Sequence, residues 1–89
     1  MNAPIAKYSV RLAKHRTSIS IEPIFWEMLK EVAAAKNLSR QQLIEVIDQQ
    51  RLQTAGSVAN LSSALRVYIL LYYVNSRAEL AQAKNQLEA

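Results

Sequence analysis

The stretch that decides the fold is Arg16-Thr17-Ser18-Ile19-Ser20-Ile21-Glu22-Pro23. Polar and apolar side chains alternate in it up to Ile21, and a period of two is typical of a β-strand with one buried face. The alternation gives the strand an outer face of Arg16, Ser18 and Ser20 and a core face of Thr17, Ile19 and Ile21. Glu22-Pro23 then predicts a helix start, because proline has no N–H to lose at the first helical position.

Helical periodicity replaces the alternation after Pro23. Three helices are predicted, from Pro23 to about Lys36, from Ser39 to about Gln53, and from a cap at Asn60 to at least Asn75. Ser39 and Gln42 form a capping-box signature for the second helix. The single glycine, Gly56, suits a chain that leaves a helix. The polar residues 76–89 are expected to continue the third helix as a tail.

The patterns divide the chain into a basic N-terminal arm (1–14), a strand with two helices (15–53), and a connection with a third helix and polar tail (54–89). Charge follows this division. Four of the 11 basic residues and none of the 7 acidic residues lie in the first 21 positions, so the remainder is balanced and the net charge of +4 comes from the arm and strand. A positive field concentrated in this way favours a polyanionic partner such as DNA.

The residues that several classes of function require are absent from this sequence. The chain has no cysteine, one histidine and one glycine, which leaves no nucleophile pair, no metal-ligand cluster and no phosphate-binding glycine loop. We therefore expect neither an enzyme nor a cofactor nor a metal. The longest apolar run, Val67 to Val74, is far shorter than the roughly 20 residues that span a bilayer. No secretory signal is visible, so a cytoplasmic protein without a membrane partner is expected.

Two features of the sequence, an isolated strand and an apolar third helix, lead us to expect a dimer. An isolated strand leaves its backbone groups unpaired, and we expect a second copy to pair with it as a two-stranded antiparallel ribbon across a dimer axis. The third helix is apolar almost all round, so one of its faces is expected to meet another subunit. The positions assigned to the core or the dimer are Thr17, Ile19, Ile21, Phe25, Leu29, Val32, Leu43, Ile47, Val67, Leu70, Leu71 and Val74.

The order of strand, helix, short turn and helix over Arg16 to Gln53 resembles the ribbon-helix-helix family of MetJ and Arc type. Two further motifs extend the resemblance to a small bacterial subgroup of that family: His15-Arg16-Thr17-Ser18-Ile19-Ser20-Ile21-Glu22-Pro23 through Phe25-Trp26, and Asn60-Leu61-Ser62-Ser63-Ala64-Leu65-Arg66-Val67. The expected fold class is therefore mostly α, a ribbon-helix-helix with a third, C-terminal helix.

The resemblance implies an obligate dimer that inserts its ribbon into the major groove of double-stranded DNA. Arg16, Ser18 and Ser20 are then the candidates for base contacts, because they share the outer face. Ser39 and Arg40 match the helix N-terminus that docks on the phosphate backbone, although Ser39 also suits plain capping. The basic arm supplies three further candidates for phosphate contacts: Lys7, Arg11 and Lys14.

Three hypotheses for function follow. The first is a DNA-binding, homodimeric transcriptional regulator. The second is a protein-interaction module, antitoxin-like or an oligomer-forming adaptor, in which the third helix binds a partner protein. The third is a scaffold whose ribbon serves only to form the dimer. Assembly beyond the dimer through the third helix is left open.

Overall fold

The computed structural model describes residues 4–12, 15–53 and 60–88 and shows a two-stranded sheet with three helices. The elements in chain order are strands β1 (Ala6–Leu12) and β2 (His15–Ile21) and helices α1 (Pro23–Ala35), α2 (Arg40–Gln53) and α3 (Leu61–Glu88). This architecture confirms the expected class, a mostly helical ribbon-helix-helix fold with an added C-terminal helix. The expected features at Lys14 and Gly56 lie outside the described residues.

The chain contains a second strand that its sequence did not lead us to expect. β2 pairs with β1 of the same chain in an antiparallel hairpin, with Ala6 opposite Ile21 and Leu12 opposite His15. The segment that we interpreted as a basic arm therefore contains a strand over Ala6–Leu12. The physical reason is that residues 6–12 also alternate between apolar and polar side chains, so they offer β2 a neighbour with one buried face.

Helix α1 begins and ends with backbone hydrogen bonds that its sequence explains. The carbonyl of Glu22 accepts from the N–H groups of Phe25 and Trp26 at 3.0 and 3.1 Å, and proline occupies the first helical position. At the other end Asn37 has a φ of 59°. The N–H of Leu38 donates to the carbonyl of Ala33 at 2.8 Å, as in a Schellman motif. The left-handed residue ends the helix.

Side-chain caps begin the other two helices as the sequence predicts. Gln42 N–H donates to the Ser39 hydroxyl oxygen at 3.1 Å, and the Ser39 N–H donates to the Gln42 side-chain oxygen at 2.8 Å, which completes the capping box. The N–H of Ser63 donates to Asn60 Oδ1 at 2.8 Å at the start of α3. These caps fix where the two helices start.

The hydrophobic core lies between the hairpin and all three helices. Its buried hydrophobic residues are Val10, Leu12, Ile19, Ile21, Leu29, Val32, Ala33, Leu43, Ile44, Ile47, Leu61, Leu65 and Ile69. Thr17 and Phe25 are half-buried. The second apolar face of α3 is different, because Val67, Leu70, Leu71 and Val74 remain exposed in the single chain.

A salt bridge joins α3 to the junction of β2 and α1. Both Nε and the terminal nitrogen of Arg66 lie 2.8 Å from one carboxylate oxygen of Glu22. These hydrogen bonds from Arg66, together with a local backbone hydrogen bond, lower the pKa of Glu22 below its ordinary 4.5. Further along, the Tyr73 hydroxyl donates to Glu31 at 3.3 Å. Burial and the Glu31 carboxylate raise the pKa of Tyr73 above 10. Both contacts hold α3 on α1.

The lowered pKa of Glu22 predicts acid-sensitive stability. The salt bridge contributes fully above the ordinary pKa of 4.5, and its contribution is lost as the pH falls through the lower pKa of the folded state. Glu22→Gln should lower the melting temperature at neutral pH and make no difference in strong acid. Circular dichroism melts across this pH range measure the difference. Glu79→Gln, at an exposed carboxylate of α3, is the charge-matched control. Parallel pH profiles for wild type and Glu22→Gln would contradict the prediction.

Candidate nucleic-acid interface

The outer face of the hairpin, defined by six side chains, is basic and polar. In the register of the two strands Lys7 lies opposite Ser20, Ser9 opposite Ser18, and Arg11 opposite Arg16. All six are exposed, whereas the residues between them in sequence point toward the helices. The structure therefore brings the three expected base-contact residues together with two cations that we had assigned to a separate arm.

Arg11 and Arg16 form a like-charge pair across the two strands. The backbone N–H and C=O of Arg11 both bond the side chain of Gln41, so they point away from β2. Arg11 and Arg16 are therefore a non-hydrogen-bonded pair, in which side chains approach closely. No ion pair among the described residues neutralises either guanidinium. Two like charges held opposite each other destabilise a hairpin, and an anion bound between them removes that cost.

Gln41, in the first turn of α2, fixes the hairpin to the helices. Its amide nitrogen donates to the Arg11 carbonyl and, at 3.1 Å, to Glu45, while its amide oxygen accepts from the Arg11 N–H at 3.3 Å. A shallow depression of about 230 Å³ lies beside this contact and is lined by Ser9, Val10, Arg11, Arg16 and Gln41. The contact of Gln41 with the Arg11 backbone is not evident from the sequence, because it depends on the position of β1.

Trp26 joins the underside of the hairpin to both neighbouring helices. The ring of Tyr8 stacks on Trp26 with centroids 4.1 Å apart and an interplanar angle of 7°. The Arg40 guanidinium lies 4.4 Å from the Trp26 ring centroid, and its Nε donates to the Trp26 carbonyl at 3.0 Å. Its terminal nitrogen lies 3.7 Å from Glu27. Arg40 therefore holds α1 and α2 together, whether or not it also contacts a phosphate.

The remaining candidate residues are distributed around the same end of the molecule. Ser39 caps α2, and its hydroxyl oxygen accepts the N–H of Gln42. Lys7 and Arg11 lie on β1, next to the outer face of β2 and not on a separate arm. The period-two pattern of residues 6–12 could have located them. The residues between the strands, Ala13 and Lys14, lack the Asn or Gly typical of a two-residue hairpin turn, so this signal was weak.

The described residues give little support for a metal site, a membrane-spanning helix or a second binding site. Within residues 4–12, 15–53 and 60–88 there is no group of three His, Cys, Asp or Glu side chains that could hold a metal ion. None of the described helices is long and apolar enough to cross a membrane. The larger depression, about 620 Å³, follows α2 and is lined mainly by glutamine and carboxylate side chains. The basic outer face is the best-defined candidate site.

The geometry defines a class of protein in which a basic β-ribbon is carried on a pair of helices. The chain belongs to the ribbon-helix-helix domain family, whose model matches residues 5–73. Among solved structures it is similar to an uncharacterized protein from Bordetella pertussis Tohama I, with 36% identity and a TM-score of 0.73. The match covers 84% of this chain and 60% of that chain. A search of curated proteins gave no significant match.

The contact between Gln41 and Arg11 should control the local stability of the hairpin. Gln41→Ala removes both side-chain hydrogen bonds to β1, so we expect faster hydrogen exchange at the Arg11 amide and a loss of about 1 kcal/mol in unfolding free energy. Exchange followed by NMR and urea denaturation measure the two effects. Gln49→Ala, at an exposed position of the same helix, is the matched control. Equal exchange rates at Arg11 in both variants would refute the proposed role of Gln41.

Proposed function

We propose that this protein is a DNA-binding, homodimeric transcriptional regulator that places an antiparallel β-ribbon in the major groove. The observation that carries the proposal is the outer face of the hairpin, where three cations and three serines stand exposed without a carboxylate among them. Ribbon-helix-helix domains are typically non-enzymatic DNA-binding regulators, and they generally bind DNA as dimers. The proposed place of action is the cytoplasm.

The outer face supplies the groups that each kind of DNA contact needs. Arg16 has the length and the paired N–H groups to bond guanine O6 and N7 in the major groove. Ser18 and Ser20 lie on the same strand and offer shorter donors and acceptors for base edges. Lys7 and Arg11, on the neighbouring strand, are proposed to bind phosphates. Lys14, outside the described residues, is proposed for the same role from its charge alone.

The N-terminus of α2 provides a second proposed contact with the backbone of DNA. Free N–H groups and the positive end of the helix dipole favour a phosphate at this position. Ser39 caps the helix with its oxygen as acceptor, which leaves the hydroxyl hydrogen to donate. Arg40 stays partly accessible, with 24% of its side chain exposed, so its terminal N–H groups can meet a phosphate while Nε holds Trp26.

Arg16→Ala tests the proposed base contact. We expect it to abolish a preference for a guanine-containing duplex over an all-A·T duplex of equal length, a difference of about 1–3 kcal/mol. Fluorescence anisotropy at several salt concentrations measures affinity and its salt slope, which should be about −0.9 per phosphate contact. Arg77→Ala removes the same charge from an exposed position of α3 and should keep the preference.

Two results would count against this proposal. If Arg77→Ala weakens binding and discrimination as much as Arg16→Ala, only overall charge matters and the outer face is not a specific surface. If the wild-type protein binds no duplex even at low salt, the DNA-binding function itself is wrong. In that case the second hypothesis, a protein-interaction module, gains support.

The exposed apolar face of α3 is the observation that favours the second hypothesis. Leu70 is 62% exposed and Val67 is 54% exposed, which is costly for a surface without a partner. An adaptor or antitoxin-like protein would cover this face with a partner protein. In this hypothesis the partner is bound by the polar tail after Asn75 as well as by this face. A variant that ends at Asn75 therefore separates the two functions, because a DNA-binding ribbon keeps its affinity without the tail whereas the partner protein is lost.

A further inference from the structure

We propose that Trp26 positions the Arg40 guanidinium for a phosphate of DNA, and that the carboxylate of Glu27 holds the same guanidinium until that phosphate displaces it. The inference rests on the proposed function and adds two residues of α1 to the contact at the N-terminus of α2. Trp26 is then a positioning residue, and Glu27 is an internal competitor of DNA. The exchange between the two anions can be followed with or without DNA.

Trp26 holds the guanidinium of Arg40 at two points. Its backbone carbonyl accepts the Nε–H of Arg40 at 3.0 Å, and its ring centroid lies 4.4 Å from the guanidinium carbon. Tryptophan is the aromatic side chain that attracts a cation over its face most strongly. Both residues are half-buried, so water competes less for these two contacts. The side chain of Arg40 is therefore held in one orientation before any ligand arrives.

The indole of Trp26 is itself fixed by the hairpin. The ring of Tyr8, on β1, stacks on it with centroids 4.1 Å apart and planes 7° apart. An arginine that binds a phosphate normally loses the freedom of its long side chain, which lowers affinity by about two- to ten-fold. Because Trp26 has already restricted Arg40, most of this cost is incurred on folding and not on binding.

The Glu27 carboxylate holds Arg40 only loosely. One of its oxygens lies 3.7 Å from a terminal nitrogen of the guanidinium, which is close enough for an ion pair but too long for a hydrogen bond. The Glu27 side chain is 68% exposed, and an exposed ion pair contributes little to stability. Within the residues that the structure describes, Glu27 is the only carboxylate paired with Arg40. The terminal N–H groups of Arg40 are therefore available to an acceptor that approaches more closely.

A DNA phosphate suits these N–H groups better than the Glu27 carboxylate does. Two phosphate oxygens can accept two parallel hydrogen bonds from the planar guanidinium, whereas Glu27 at 3.7 Å makes none. A phosphate at the start of α2 also meets the positive end of the helix dipole. Since two anions repel each other at one cation, Glu27 turns into solvent as the phosphate binds, and its exposure permits this. Glu27 therefore weakens DNA binding, and it does so through Arg40.

Glu27→Gln tests the competition. We expect the variant to bind a mixed-sequence duplex about two- to five-fold more tightly than the wild type at low salt, because the exposed ion pair no longer opposes the exchange. Glu79→Gln removes the same charge from an exposed position of α3, so it is the matched control and should change the affinity much less. In an Arg40→Gln background the effect of Glu27→Gln should fall to that of the control. Fluorescence anisotropy of a labelled duplex measures these affinities.

Trp26→Leu tests the positioning role. Loss of the indole should weaken duplex binding about two- to ten-fold, and Trp26→Phe, which keeps an aromatic face, should recover part of that affinity. In an Arg40→Gln background Trp26→Leu should have no further effect. Phe25→Leu removes the neighbouring ring of α1, which packs on the core, and is the control for lost packing. Circular dichroism checks that each variant is folded at the temperature of the assay.

The emission of Trp26 follows the exchange without DNA, because it is the only tryptophan in the chain and an indole responds to the charges beside its ring. The probe is inorganic phosphate, compared with chloride at equal ionic strength. Phosphate should change the emission of the wild type, and lower phosphate concentrations should suffice for Glu27→Gln. Arg40→Gln should show no change, since the guanidinium is absent.

The outcomes separate this inference from the proposed function. Duplex binding that Glu27→Gln and Trp26→Leu leave unchanged would keep the DNA-binding function and overturn the inference. Equal gains in affinity from Glu27→Gln and Glu79→Gln would overturn it as well, because only overall charge would then matter. So would an emission that ignores phosphate or responds equally in Arg40→Gln. A phosphate response that depends on Arg40, in a protein that binds no duplex, would support the exchange and reject DNA as its ligand.

Discussion

The pairing of β1 with β2 inside one chain is the constraint on which the rest of this structure depends. It places Val10 and Leu12 beside Ile19 and Ile21, so the sheet offers the helices an apolar face twice as wide as one strand could. It also sets which side chains share the outer face. Because side-chain direction alternates along a strand, a register shift of one residue would move the cations of β1 into the core.

Two groups of cations can be distinguished in this protein, those that form ion pairs within the fold and those on the outer face of the hairpin. Arg40, Arg51 and Arg66 each have a carboxylate partner within 4 Å, and two of these pairs join different elements. The cations of the hairpin have no such partner among the described residues, and two of them face each other. The outer face of the hairpin is therefore the surface on which positive charge is left unbalanced, and it carries a positive potential.

Much of the fold could be predicted from the sequence because its signals are local. Proline at position 23, the capping box at Ser39 and the Asn60 cap each act within one helical turn, and the helices begin where these residues require. Strand β1 was not predicted, because the charges of residues 6–12 obscure the alternation of their polar and apolar side chains. The contacts of Gln41 and Trp26 could not be predicted, since they join residues far apart in sequence once β1 is in place.

The third helix has two apolar faces, of which the single chain buries one. Leu61, Leu65 and Ile69 complete the core under the hairpin, so the single chain buries its central residues without a partner. The same helix carries a second apolar face, formed by Val67, Leu70, Leu71 and Val74, that no described element of the chain covers. The core is therefore complete within one chain, whereas this second face of α3 remains exposed on it. Substitutions on the exposed side of α3 should therefore leave the hairpin folded, because the core and the exposed face use different sides of one helix.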